Sequence, residues 1–383
     1  MKIGFIQFHD PMDRRASSGT PYKMAEALRM AGNEVVWVKA RKNILYRTYS
    51  KVMKFWNGMS RAKVNVSHSS FGSSLLSMSL DRSIIDSCDI LFAPFASECL
   101  YKLKTDRPIV YLSDATFGIM AGYYYKNLSP CSVRQGNKVE QVAVDKAAEV
   151  IVSSDWAAES VVKDYHKDPS KVHVLEFGAN VDEKDIAPKV FEYDGHLDIL
   201  FLGVDWDRKG GGIAVDAARW LNGNDVPTTL HIVGIKNLAP EVQALPFVDN
   251  HGNLNKNIPE EYQKLVEVMR KCHCLLLPTL AECAGIAFCE SCANGLPIFS
   301  HRTGGVSDYV HDGENGYLLP SPSSGEDFGR KIKSSLESGE MARMSETAKH
   351  LYRSKFNWKV WAEKMMVIMS ALDKGSDSND SNT

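Results

Sequence analysis

No stretch of the 383-residue chain approaches the roughly 18 consecutive apolar residues that a membrane-spanning helix needs. The opening run Met1-Lys2-Ile3-Gly4-Phe5-Ile6 is strand-like at once and lacks the charged start, longer apolar stretch and cleavage site of a signal peptide. These absences point to a cytoplasmic chain, at most attached peripherally to the inner face of a membrane. Charge of one sign is scarce as well. With 45 basic against 47 acidic residues the net charge is -2, which gives no global attraction to nucleic acid, and no nucleic-acid partner is expected. The eight cysteines show no paired spacing of the zinc-ribbon kind and are read as reduced thiols. Cys272-His273-Cys274 opens the apolar run Leu275 to Leu277, where small buried cysteines are common, so neither metal nor cofactor is expected.

What is present is an ordinary globular composition, with 44% hydrophobic and 24% charged residues, in a chain too long for one core. Short apolar runs alternate with helix-length amphipathic stretches, the pattern of parallel sheets covered by helices; the class is α/β. In the first half strands are expected at Lys2 to Phe8, Glu34 to Val38, Asp89 to Phe92, Ile109 to Leu112, Val150 to Ser153 and Val172 to Leu175. In the second they are expected at Leu197 to Leu202, Thr229 to Val233, His273 to Leu277 and Ile298 to Ser300. The boundary falls where the pattern pauses, giving domains at 1–185 and 195–355. An aromatic amphipathic helix at about 356–372, carrying Trp358 and Trp361, is expected to pack back onto the first domain. The polar tail 373–383 is expected to be disordered. Two such sheets in series imply a cleft between them, because ligands of open parallel sheets gather at the carboxyl ends of the strands.

The most informative stretch runs from Pro278 to Pro297 and reads strand, loop, helix, turn. A helix starting near Gly285 presents free amides, whose partial positive charge suits phosphate or sugar oxygens. Glu290 then lies in the second turn and Glu282 on the preceding loop, so the two carboxylates reach different parts of one extended ligand. A second stretch, Gly203-Val204-Asp205-Trp206-Asp207-Arg208-Lys209-Gly210, follows a strand and carries two cations. Ser18-Gly19-Thr20-Pro21 lies between the first strand and its helix, and Ser113-Asp114-Ala115 follows the strand at Ile109.

Together these stretches resemble the family 4 retaining glycosyltransferases, with their Glu-x7-Glu motif and their GT-B fold of two Rossmann-like domains facing a deep cleft. The resemblance implies that Glu282 faces the donor sugar and Glu290 the ribose, with the amides of Gly285, Ile286 and Ala287 near sugar and phosphates. It places Lys209 on the diphosphate, Gly19 near the phosphates from the other domain, and the base-binding loop at Val248 to Leu254, with Asn253 and Leu254 at the donor. Thr303-Gly304-Gly305 resembles the glycine pair after the next strand. The implied reaction moves a sugar, with retention, from a UDP- or GDP-type nucleotide sugar to a hydroxyl of a glycan or lipid-linked acceptor, without a metal. Catalytic roles fall to Glu282, Lys209 and Asp114.

Three positions depart from the family. Ala284 stands where a large apolar residue is usual. Val204 replaces an arginine on the diphosphate, so Arg208 either compensates or faces solvent as a loop charge. Asp114 replaces a histidine near the reacting sugar, and either accepts a sugar hydroxyl or caps the following segment. The departures motivate one alternative, a silent partner subunit that binds without turnover; a sugar nucleotide epimerase is the other, though no groups for proton removal and return stand out.

Between Lys39 and Lys63 lie eight basic residues and no acidic one, interleaved with Tyr46, Tyr49, Met53, Phe55 and Trp56. The plainer reading is a solvated helical face with its aromatics packed inward. The alternative is a surface for an anionic acceptor or for peripheral contact with anionic lipid.

Overall fold

The computed structural model describes residues 1–377 apart from residue 189. The chain forms two compact units, Met1–Leu175 together with the chain from Trp361 onward, and Glu176–Val360.

The first unit holds six strands: β1 (Lys2–Gln7), β2 (Glu34–Lys39), β3 (Ile90–Pro94), β4 (Ile109–Ser113), β5 (Glu149–Val152) and β6 (Val172–Val174). They pair in parallel in the order β2-β1-β3-β4-β5-β6. The second unit holds β7 (Leu197–Leu202), β8 (Thr228–Val233), β9 (Val248–Gly252), β10 (Cys274–Leu277), β11 (Ile298–His301) and β12 (Gly316–Leu319). These too are parallel, in the order β12-β11-β10-β7-β8-β9. Central strands such as β3, β4 and β10 are buried at every position, so their sequences are continuous apolar runs. The edge strand β9 is Val-Asp-Asn-His-Gly and only half-buried, which is why its residues read as a loop in the sequence. β12, another edge, likewise had no apolar run long enough to announce it.

The chain enters the second unit at Glu176 rather than after residue 185, and the reason is local. The amide of Phe177 donates to Tyr309 Oη at 3.2 Å, the amide of Ala179 to the Phe356 carbonyl at 3.1 Å, and that of Asp182 to Tyr262 Oη at 2.8 Å. The Phe177 ring stacks on Trp358 at 6.0 Å. The last helix, Trp358–Asp377, extends past the expected end at 372; the rest of the expected tail, 378–383, lies outside the described residues. In the first unit Trp361 is 1% exposed and packs 6.1 Å from Phe92, which meets Phe5 edge-on at 5.4 Å. Each such buried side chain contributes about 1.5–3 kcal/mol, enough to hold the helix on that sheet.

The second sheet reverses its winding between β7 and β10, leaving a crevice at their carboxyl ends where ligands of doubly wound folds bind.

Candidate functional site

The two loops that leave β7 and β10 are built against each other. Gly210 has φ +73° and a Cβ there would stand 2.2 Å from the Pro278 carbonyl oxygen, so only glycine lets the loops approach. The amide of Leu280 donates to the Arg208 carbonyl at 2.8 Å, and the Thr279 hydroxyl donates to the same carbonyl at 3.2 Å. A third loop joins through the Gly305 amide, 3.1 Å from the Glu282 carbonyl.

On this frame the charges converge. Lys209 Nζ is in direct contact with Glu282 Oε2, and Arg208 Nη1 lies 3.7 Å from the same oxygen while donating to the Ala281 carbonyl at 2.9 Å. Glu282 is only 7% exposed, so its charge is held by these two cations rather than by solvent. Arg208 therefore turns toward the Glu282 loop instead of into open solvent, while Val204, at the position of the absent arginine, is 73% exposed.

The helix Ile286–Ala293 starts at Gly285, and no side chain caps it. Its first amides have no intrahelical acceptor and carry the positive end of the helix dipole. A Cβ on Gly285 would fall 1.8 Å from Phe288 Cδ2, so the glycine is required by the ring that seats the helix. Ile286 and Ala287 are half-buried at its mouth. One turn on, Glu290 is 3% exposed and pairs with Lys256 Nζ at 2.6 Å; the same ammonium lies 3.4 Å from the Asn180 carbonyl. Lys256 was not singled out by sequence. It sits three residues past Asn253 in an irregular loop after β9, and nothing in its local pattern marks it. Asn253 is exposed and Leu254 half-buried in that loop.

Gly19 and Asp114 belong to the first unit, beyond the carboxyl ends of β1 and β4. Gly19, at φ +91°, is the N-cap of the helix Thr20–Met30. Asp114 directly follows β4 and is half-buried; the N-cap of the next short helix, Phe117–Met120, is Thr116 rather than Asp114.

None of the eight cysteines, all among the described residues, is in a disulfide, and Cys272 and Cys274 are buried. His273 between them accepts the Asp198 amide at 3.0 Å through Nδ1. The basic stretch corrects the plainer reading of it. The helix Ile44–Met59 buries Tyr46, and Tyr49 meets Phe71 edge-on at 5.0 Å, but Phe55 is 69% and Trp56 51% exposed, with Leu45, Val52 and Met59 also outside. The inward face is filled at 46, 49 and 53, one helical stripe, so aromatics offset from it have nowhere to go but outward.

Residues 182–351 match the family described as glycosyl transferases group 1. Solved structures match along most of the chain. The chain has the GT-B fold of the glycosyltransferases. The Anabaena protein HepE, solved in complex with UDP and glucose, matches with a TM-score of 0.64 at 14% identity, over 97% of this chain and 99% of that one. An uncharacterized glycosyltransferase of Methanocaldococcus jannaschii is 26% identical over 160 residues, 42% of this chain and 44% of the relative. A D-inositol 3-phosphate glycosyltransferase of Mycobacteroides abscessus is 25% identical over 202 residues, 48% of this chain and 43% of the relative. The chain thus spans less than half the length of these two curated relatives. In this GT-B chain the matched segment, 182–351, contains every donor-site residue expected in the second unit, from Arg208 to Glu290.

Proposed function

We propose that the protein is a retaining glycosyltransferase of the family 4 type, which transfers a sugar from a nucleotide diphosphate sugar to a hydroxyl of a glycan or lipid-linked acceptor. The observation that carries this reading is the convergence of Lys209, Arg208 and Glu282 at the switch point of the second sheet, beside an uncapped helix start.

The diphosphate takes the positive field of Lys209, Arg208 and the amides of Gly285, Ile286 and Ala287. As the glycosidic bond breaks, charge builds on the departing phosphate oxygen, and pre-set cations stabilise it without reorganising. Glu282 accepts hydroxyls of the donor sugar and Glu290 those of the ribose. The acceptor hydroxyl approaches on the leaving-group side, where the departing phosphate oxygen helps to remove its proton. In this reading the transfer draws its positive field from the protein and needs no metal at these loops. UDP is the first nucleotide to try, because HepE is a solved neighbour that holds it. For the first unit, the resemblance assigns Gly19 to the phosphates and Asp114 to the reacting sugar. The exposed face of the Ile44–Met59 helix, with Phe55 and Trp56 among basic residues, is proposed to lie on anionic lipid, which would bring the chain to a lipid-linked acceptor.

The silent-partner reading rests on the exposed Val204 in place of an arginine. The test is turnover: the full chain is incubated with UDP-sugars and a panel of acceptors, nucleoside diphosphate release is followed, and the anomeric configuration of product is read by proton NMR. A product with the donor's configuration supports the proposal. An inverted product contradicts the retaining mechanism, and binding without release under every pairing favours the silent partner.

A further inference from the structure

A second polar cluster lies on the outer strands of the second sheet; two of its members, Asp249 and His251, fall in the stretch from Val248 to Leu254 expected to bind the base, but none of the three has a role at the sugar or the diphosphate. His231 on β8 is in register with Asp249 on β9, and His251 is the extra residue of the bulge that follows, with its ring against the same two side chains. Three donor atoms therefore meet. His231 Nδ1 is 3.1 Å from His251 Nε2 and 3.4 Å from Asp249 Oδ2, and His251 Nε2 is 3.5 Å from the same carboxylate oxygen. Among the described residues, this is the one such group of histidine, cysteine and carboxylate ligand atoms.

The spacing is informative. Zinc bound tetrahedrally at ~2.0–2.2 Å to nitrogen and oxygen ligands separates neighbouring donor atoms by about 3.3–3.5 Å. The tautomer also fits. His231 Nε2 stands 2.7 Å from Asp198 Oδ1, a contact in which only the ring can supply the proton, so the neutral ring has its Nδ1 lone pair on the side of the other two ligands. A carboxylate holding the far nitrogen of a ligating histidine is the usual support of a zinc site. His231 is 1% exposed and Asp249 52%, which gives a buried anchor with an entry path from solvent.

We propose that His231, Asp249 and His251 bind a divalent transition metal of the zinc class, with a further coordination position open to water. The ion ties the edge strand β9 to β8. Because the loop that follows β9 carries Lys256, the ion also fixes the strand from which the partner of Glu290 hangs. The three ligands lie on β8 and β9 rather than on the loops after β7 and β10, and the proposal stands whether or not the sugar-transfer reading does.

The test uses the full chain, stripped with a chelator and dialysed, then titrated with Zn²⁺ against a chromophoric competitor and with Co²⁺ by visible absorption. One equivalent is expected to bind, with the intense visible bands of four-coordinate Co²⁺. His251→Ala is expected to weaken binding at least a hundredfold while keeping a cooperative melt. Asp198→Asn, which removes the charge that supports His231 and pairs with Lys271, is expected to weaken it roughly ten- to hundredfold. Cys131→Ser and Cys272→Ser should bind as the wild type does. The proposal is overturned if the wild type takes up no equivalent at micromolar Zn²⁺. It is equally overturned if folded His251→Ala binds undiminished, or if binding disappears with the cysteines instead.

Discussion

Lys256 Nζ lies 2.6 Å from Glu290 Oε1, joining the loop after β9 to the second turn of the helix Ile286–Ala293. Glu290 is 3% exposed, so the lysine is its principal source of compensating charge. Removing one member of a buried pair leaves the other charge uncompensated, which typically costs about 3–5 kcal/mol. Lys256→Met is therefore expected to lower stability in urea denaturation by about 3 kcal/mol. The double variant Lys256→Met/Glu290→Gln is expected to recover part of the loss, because no unpaired charge remains. Equal losses in the single and double variants would show that the pair is not coupled.

Gly285→Ala forces a methyl to 1.8 Å from Phe288 Cδ2, and the ring cannot yield without unseating the helix start. Overpacking of this kind typically costs about 1–3 kcal/mol. The expected result is a lower melting temperature together with weakened donor binding, measured by calorimetric titration with UDP. Gly285→Ala/Phe288→Ala makes room for the methyl and should restore binding in part, at a further cost in stability from the lost ring.

In the first unit Glu98 is 6% exposed, and burial raises its carboxyl to about 7, only partly offset by a hydrogen bond from its own backbone and the charge of Lys42. An acid whose folded pKa lies above its unfolded value binds more protons when folded, so its contribution to stability falls as the pH rises between the two values. The window is about 4.5 to about 7. Measured against Glu98→Gln, the wild type should lose at most ~3 kcal/mol across that window and nothing more above it. His68, 3.8 Å away and with its pKa lowered by burial, titrates in the opposite sense in both proteins, which is why the difference between them is the quantity to follow. A difference independent of pH would contradict the elevated carboxyl.

Phe55→Ser/Trp56→Ser removes exposed apolar surface and should leave the melt nearly unchanged, since neither side chain is packed in the core. Co-sedimentation with phosphatidylglycerol vesicles at low salt should fall sharply in the variant, and binding of the wild type to phosphatidylcholine vesicles should be weak. Equal sedimentation of variant and wild type would remove the lipid role of this helix.

Much of the fold was legible because the central strands are buried on both faces and so are written as unbroken apolar runs, as at Ile109 to Leu112 and Leu197 to Leu202. The edges were not. β9 needs only one covered side and spends its positions on Asp249, Asn250 and His251, which carry no strand signal when read alone. The same strand and the loop after it hold the two features that the sequence left unmarked. Lys256 and the histidine cluster depend on pairings across strands, and register between β8 and β9 is invisible until the sheet is assembled. Glu282, Arg208 and Lys209 could be singled out because each belongs to a loop whose glycines and prolines mark it, and Glu290 because it lies on the helix that the Glu282 loop leads into. The outward turn of Phe55 and Trp56 could not, since the basic stretch offers aromatics to both faces and only the packing of Tyr46 and Tyr49 decides between them.

The central claim is that the loops after β7 and β10, with Glu290, hold a nucleotide diphosphate sugar, and thermal unfolding of the full chain with UDP, GDP, ADP and their sugar conjugates tests it most directly. At one hundred times its dissociation constant a ligand adds ~2.7 kcal/mol of stability. The account predicts that one nucleotide class raises the midpoint of the wild type, and that the rise is largely lost in Glu290→Ala and in Lys209→Ala. A cooperative melt that no nucleotide shifts at millimolar concentration, or a shift that both variants keep in full, would contradict it.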